Sequence, residues 1–339
     1  MSIINLNKYP LSYKNGTYGG LAGYKDGIVI DDGLWMVKYP KNLANMQGNG
    51  IASYSTSPLS EFIGSHIFAI LGIPVHETIL GERHNKIVVA CEDFVSSNEM
   101  LMEVRTIKNY TNEQMEEMFD RPFDGTGSSH CVETEELLLH LYYNPILSRV
   151  SGIVDRFWEQ AIVDILINNN DRNNGNWGIL RRTTSGYYTD FLAPVFDNGA
   201  SFQSKASDDK IARQLEDRCK CELDACATQV AYGKEGHVYS TKQFIADVIL
   251  QNEDGIRAIK KMVPIIEERL LEIFTLINNI PTTHKLENGD VIYVCTDERK
   301  ELYKLQIMSR LNNLLKPAYD KVSNNSASIP TLKDIASNI

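Results

Sequence analysis

The sequence predicts an α+β protein built as two lobes, a strand-rich one over residues 1–95 and a mainly helical one over 96–320, with a flexible tail at 321–339. Three observations predict it. Glycine turns punctuate short aromatic and β-branched runs in the first ninety-odd residues, as hairpins require. Apolar residues at helical spacing dominate from about residue 135 onward. A chain of 339 residues with 43% apolar and 23% charged side chains is long enough for two packed cores.

Taken in order, NGTYGGLAGYKDG (15–27) carries five glycines in thirteen positions and is followed by a short IVI strand. DDG (31–33) reads as a tight turn, and LWMVKYP as a strand stopped by Pro40. Residues 41–57 are polar and glycine-containing, an exposed loop. SPLSEFIGSHIFAILG (57–72) is a helix, with Pro58 suited to its first turn and Gly72 placed to end it. His66 lies on its apolar stripe and is expected to pack there rather than catalyse. KIVVACEDFV (86–95) is a strand leaving the first lobe. Residues 135–143 and 155–169 read as helices, and 187–199 as a hairpin or paired strands ending in a turn. Residues 202–210 are polar enough for a mobile loop. Residues 256–280 form one or two helices, 297–315 another, and the Ser/Asn-rich end is frayed.

Net charge is 34 minus 44, or −10, which opposes wrapping by DNA or RNA but leaves room for a nucleotide pocket. Six cysteines are too few for a disulfide scaffold. Cys219, Cys221 and Cys226 lack the paired spacing of a zinc site, even with His237 as a fourth ligand, and are read as thiols on or near a helix. The amino terminus has neither a basic flank nor a long apolar core, and no stretch approaches the ~20 apolar residues of a membrane span. A cytoplasmic location follows, with secretion by a signal-independent route left open.

The chemistry centres on DILINNNDRNNGNWGIL (164–180), where a helix-like apolar run gives way to nine polar or glycine positions out of ten between Asn168 and Trp177. Such a stretch serves as a plain turn. It also contains Asp171 and, five residues on, Asn176. That DxxxxN spacing suits phosphoryl transfer: the aspartate orients an acceptor hydroxyl and the asparagine offers a neutral oxygen to magnesium. Asp197, in FDNG, supplies a second oxygen ligand of the kind Mg²⁺ prefers. Lys38 lies on a strand after the glycine-rich turn, and Glu61 on the following helix. A strand lysine held by a helix glutamate pairs with phosphate oxygens. Each sign is weak alone; the four together occur in the order a protein kinase needs.

On YGGLAGYK, LWMVKYP, SEFIGSHIFAILG, KIVVACEDF, DRNNGNWG and FDNG, the chain resembles the HipA-like serine/threonine kinases, and among them the compact CtkA-type kinases. The resemblance runs to about residue 310. It implies a bilobal protein-kinase-like fold and an ATP- and Mg²⁺-dependent enzyme that phosphorylates a protein hydroxyl. It further implies that Asp171 is the base, that Lys38 contacts the α- and β-phosphates with Glu61 holding it, and that Asn176 and Asp197 carry magnesium. Adenine would meet the backbone around Glu92 and Phe94. Gly16, Gly19, Gly20, Gly23 and Lys25 belong to the phosphate-cradling loop, which departs from GxGxxG. Asn169 and Asn170 stand where a histidine-arginine pair is usual, which argues against the arginine clamp of phosphorylated activation loops. Thr17, Tyr18, Ser201, Ser204 and Ser207 are the expected autophosphorylation positions. A toxin–antitoxin or host-protein partner fits the resemblance; direct nucleic-acid binding and a membrane do not. Two rival readings stay open: a small-molecule kinase of related fold, and an inactive nucleotide-binding module.

Overall fold

The computed structural model describes residues 1–19, 24–46, 48–124 and 131–324. The chain divides into two compact units, neither continuous in sequence. The first comprises Met1–Phe94, Pro194–Leu223 and Glu268–Ile307; the second comprises Val95–Ala193, Asp224–Glu267 and Met308–Ile339. The units therefore do not run along the chain as the spans 1–95 and 96–320 do.

The first unit is organised by a five-stranded sheet. Its strands are β1 (Ile4–Asn5), β2 (Lys25–Ile30), β3 (Gly33–Lys38), β4 (Thr78–Arg83) and β5 (Lys86–Glu92), in the order β1-β4-β5-β3-β2. The DDG turn joins β2 to β3 with Asp31 and Asp32 both at positive φ, the backbone a tight hairpin between twisted strands demands. Alternation then sorts the side chains. Ile28, Ile30, Trp35, Val37, Val88 and Ala90 are buried in one cluster with Leu6 and Tyr39, each large apolar member contributing roughly 1.5–3 kcal/mol by leaving water. Helix α1 (Ser57–Ile70) packs beside this sheet. It opens with proline in its first turn and closes at Gly72, whose φ of +78° lets the chain turn back. His66 is half-buried on it, its ring 4.0 Å from that of Phe62.

Residues 202–210 are not the mobile loop their polarity suggested. Phe202 is fully buried against Tyr303, Ser204 and Ala206 are buried, and Arg299 donates to the Ala206 carbonyl at 3.0 Å. Ser207 caps a helix over Asp208–Glu216. What wins over composition is a late segment of the chain returning to cover this one.

The second unit begins with β6 (Glu99–Glu103) and α2 (Val104–Phe119), which sequence reading left unassigned, followed by β7 (Val132–Glu133), α3 (Thr134–Tyr143) and α4 (Ile153–Ile167). A hairpin of β8 (Gly178–Thr184) and β9 (Tyr187–Leu192) pairs with β6. Helix α4 stops two residues before its expected end because Asn168 takes the left-handed conformation at its C-cap. The thiols of Cys219, Cys221 and Cys226 do lie on a helix, Arg218–Cys226. Of the tail expected to be flexible at 321–339, residues 321–324 instead end a helix over Lys316–Asn324 with Val322 buried, and 325–339 lie outside the described residues. No helix among the described residues is long and apolar enough to cross a membrane.

Candidate active site

The site residues fall into two groups, one in each unit. In the first unit β3 ends by directing Lys38 at two carboxylates. Its Nζ lies 2.9 Å from Glu61 Oε2 on α1 and 2.9 Å from Asp197 Oδ1. Glu61 is almost wholly buried, and its other oxygen is also engaged: His76 Nε2 lies 3.1 Å from Oε1, and the Asn198 backbone N–H donates to it at 3.0 Å. Burial opposes the charge on both partners. For Lys38 the field of Asp197 and then Glu61 overcomes it and holds the ammonium well above the ordinary lysine range. For Glu61 the lysine and the His76 and Asn198 hydrogen bonds hold the carboxyl well below the ordinary carboxylate range. Both are charged at neutral pH.

The FDNG segment makes this geometry with its backbone. Asp197 has φ of +62°, a left-handed conformation that Asp tolerates better than most residues. It brings the Asp197 carboxylate to Lys38 and the next N–H to Glu61. Gly199 follows because a Cβ there would sit 3.2 Å from Glu61 Oε2 and 3.4 Å from the Ser57 carbonyl. Phe196, just before Asp197, packs at a tilt against Phe94 with ring centroids 5.9 Å apart. Near Phe94, the N–H groups of Glu92 and Asp93 are already bonded to the Glu77 and Leu34 carbonyls. They belong to the sheet. Asp93 also accepts from Lys14 Nζ at 2.8 Å and Tyr18 OH at 2.9 Å, tying the glycine-rich segment to the end of β5.

Of that segment, Gly16 (φ +81°), Thr17 and Gly19 are exposed, while Gly20 and Gly23 lie outside the described residues. Lys25 Nζ donates to the Gly19 carbonyl. Burial and the charge of Lys38 push its ammonium below the ordinary lysine range. Of the serines, Ser201 is fully buried and donates to the Asn198 carbonyl at 2.9 Å; Ser204 is buried, and Ser207 is the helix cap already described.

In the second unit the polar run after α4 is a self-braced loop, and most of its asparagines have separate tasks. Asn168 ends the helix. Asn169 accepts from the Asp171 N–H and donates to Asp164. Asn173 accepts from the Gly175 N–H at 2.9 Å and from Arg105 at 2.6 Å. Asn176 Nδ2 donates to the Asp171 carbonyl at 2.6 Å, leaving Oδ1 as its acceptor atom. Beneath them Arg172, fully buried, forks onto Asp164 with Nε–Oδ2 at 2.9 Å and Nη2–Oδ1 at 3.0 Å, and reaches the Asn176 carbonyl at 3.0 Å. Here burial prevails: it raises the Asp164 carboxyl above its ordinary range against the lowering pull of Arg172. Asp171 itself is exposed and stands in the wall of a cavity of about 460 Å³, with Asn170, Asn173, Arg105, Glu133 and Val230.

Sequence reasoning missed His76, Asn198 and the Arg172–Asp164 pair. Asn198 and Arg172 sit inside the motifs it singled out. His76 had no sequence signal.

Comparison with known proteins adds two kinds of likeness. No protein-family model matches the chain. The serine/threonine-protein kinase CtkA of Helicobacter pylori strain J99 is 27% identical over 306 residues, covering 88% of this chain and 86% of that one. The crystal structure of the H. pylori proinflammatory kinase CtkA superposes with a TM-score of 0.78 at 24% identity, over 96% of this chain and all of that one. HipA from a Shewanella oneidensis MR-1 toxin–antitoxin complex with HipB and operator DNA superposes with a TM-score of 0.51 at 14% identity, over 91% and 68%. In sequence the chain is similar to CtkA, and in fold it is similar to CtkA and HipA.

Proposed function

We propose, for a chain similar to CtkA, that it transfers the γ-phosphoryl group of Mg²⁺-bound ATP to a serine or threonine hydroxyl of a protein. The observation that carries this reading is the Lys38 ammonium held at 2.9 Å by both Glu61 and Asp197. A cation so charged and so fixed suits phosphate oxygens, and its neighbour Asp197 is a hard oxygen donor of the kind magnesium takes. Asn176, through Oδ1, is the second metal-holding residue in this reading, and the glycine-rich segment with Lys25 is the phosphate cradle. The adenine contact falls to the neighbourhood of Phe94, since the Glu92 and Asp93 N–H groups are spent within the sheet.

Bound Mg²⁺–ATP supplies the transferable phosphoryl group and neutralises its developing charge. The chain's own work is positioning. Lys38 orients the phosphates, and Glu61, fixed by His76 and Asn198, orients Lys38. Asp171 accepts or orients the proton of the acceptor hydroxyl from the cavity wall. Arg172 and Asp164 keep the loop that carries Asp171 and Asn176 in one shape.

The test is a magnesium-dependent γ-phosphate transfer assay against mixed protein and metabolite fractions. Label on protein hydroxyls supports the reading; label confined to a metabolite supports a small-molecule kinase instead. In the same reading, autophosphorylation favours Thr17, exposed beside the phosphate cradle, over the buried Ser201 and Ser204. Phosphopeptide mass spectrometry after ATP incubation checks it, and modification confined to distant sites removes it.

A further inference from the structure

Behind Lys38, three ligating side chains from three parts of the first unit converge: Glu61 from α1, His76 from the segment before β4, and Cys91 from β5. One donor atom of each lies within 4.8 Å of the other two. Their exposures are 1%, 3% and 0%, so the cluster is not a surface accident of acidic groups. Glu61 Oε1 and His76 Nε2 are already 3.1 Å apart. A carboxylate, an imidazole and a thiol make a borderline-to-soft donor set that suits Zn²⁺ in tetrahedral geometry and does not suit Mg²⁺, which takes oxygen.

We infer that Glu61, His76 and Cys91 form a zinc site whose bound cation competes with the Lys38 ammonium for the Glu61 carboxylate and so loosens the phosphate-binding lysine. The inhibitory half rests on the kinase reading; the metal site does not. The charges balance. Zn²⁺ with the Glu61 carboxylate and the Cys91 thiolate is neutral, the thiol proton passing to solvent. His76 binds through Nε2 with its proton on Nδ1, and water completes the tetrahedron. Lys38 keeps Asp197 as its counter-charge. Entry is by way of Lys38, which is part-exposed where Glu61, His76 and Cys91 are buried. Cys91 has no part in the phosphate or acceptor chemistry, which makes it the residue through which the site is tested.

The test uses the full-length protein, its Cys91→Ala variant, and Cys219→Ala, which removes the exposed thiol. Co²⁺ titration reads the thiolate-to-metal absorption band, and Zn²⁺ competition against a chromophoric chelator reads stoichiometry. The expected result is one equivalent of metal and a thiolate band in the parent and in Cys219→Ala, with the band gone and affinity lowered about 10- to 100-fold in Cys91→Ala. Equimolar Zn²⁺ under excess Mg²⁺–ATP should then lower phosphoryl transfer in the parent, reversibly with chelator, and spare Cys91→Ala. No thiolate band, or a band that survives Cys91→Ala, overturns the site. Metal binding without inhibition overturns the switch. A parent that binds metal but transfers no phosphate without zinc upholds the site and overturns the kinase reading. Should Cys91→Ala misfold, His76→Asn with the same binding readouts decides the matter.

Discussion

Each unit holds a buried ion pair, and the two behave in opposite ways. Around Lys38, one cation serves two carboxylates, and Glu61 gains further hydrogen bonds from His76 and Asn198. The attraction exceeds the cost of burial, and the Glu61 carboxyl is depressed. Around Arg172, one carboxylate meets one guanidinium in a fully buried fork, burial prevails, and the Asp164 carboxyl is raised. A buried cation thus holds one carboxyl below its ordinary range, while burial holds the other above it. The difference teaches where each is useful. A pair that costs its own desolvation earns its place by shape, and Arg172 fixes a loop from Asp164 to Asn176. A pair with surplus attraction stays charged, which in the kinase reading lets one partner be exchanged for phosphate.

The largest effect expected from separating these roles is on turnover. Asp171→Ala should lower phosphoryl transfer about 10²- to 10⁴-fold while changing unfolding free energy by less than about 1 kcal/mol, because the side chain is exposed. Retention of full transfer activity would remove Asp171 as the base. Next, Asp164→Asn should destabilise by about 3–5 kcal/mol in urea unfolding, since Arg172 cannot shed its charge. Arg172→Met should cost less, because Asp164 can take up a proton once the guanidinium is gone. If the two cost the same, the contrast drawn for this pair is wrong. Glu61→Gln is milder still, on the order of 1–3 kcal/mol, because glutamine keeps an acceptor for His76 and Asn198 while Lys38 keeps Asp197; its signature is a raised KM for ATP.

The smallest effect is in pH dependence, and its sign differs between the two. Glu61 is depressed in the folded state, so its stabilisation is present above its ordinary value of 4.5 and is lost as pH falls below it. Asp164 is raised, so its contribution is present below its ordinary value of 3.8 and is lost as pH rises through the folded value. Unfolding free energies measured from about pH 6 to about pH 3 should therefore fall less steeply in Glu61→Gln and more steeply in Asp164→Asn than in the parent. Parallel curves for all three proteins would show that neither carboxyl titrates as described.

Much of the fold was legible where local signals agreed. Pro58 and Gly72 bracketed α1, and DDG marked the β2–β3 turn. Periodicity found α3 and α4, though it could not see that Asn168 would leave the helical region. The loop at 202–210 was misread because its covering residues, Arg299 and Tyr303, are nearly a hundred positions away. Within the site, Lys38, Glu61 and Asp197 were suggested by order along the chain, and the structure brings these three side chains together. His76 and Cys91 were invisible for a different reason: an isolated histidine or cysteine says nothing until a sheet sets it beside Glu61.

The first unit's discontinuity has a consequence for biosynthesis. Its contact set needs segments as late as Ile307, so a nascent chain that has just delivered Phe94 holds the sheet and α1 but lacks Asp197, Asn198 and the residues that bury Phe202. The interval from residue 94 to residue 307 is 213 residues, roughly 10–40 s of elongation at ordinary rates. Until residue 198 is made, Glu61 has no Asn198 to bond and Lys38 has one carboxylate instead of two. The first unit therefore stays incomplete until residue 307 has been made.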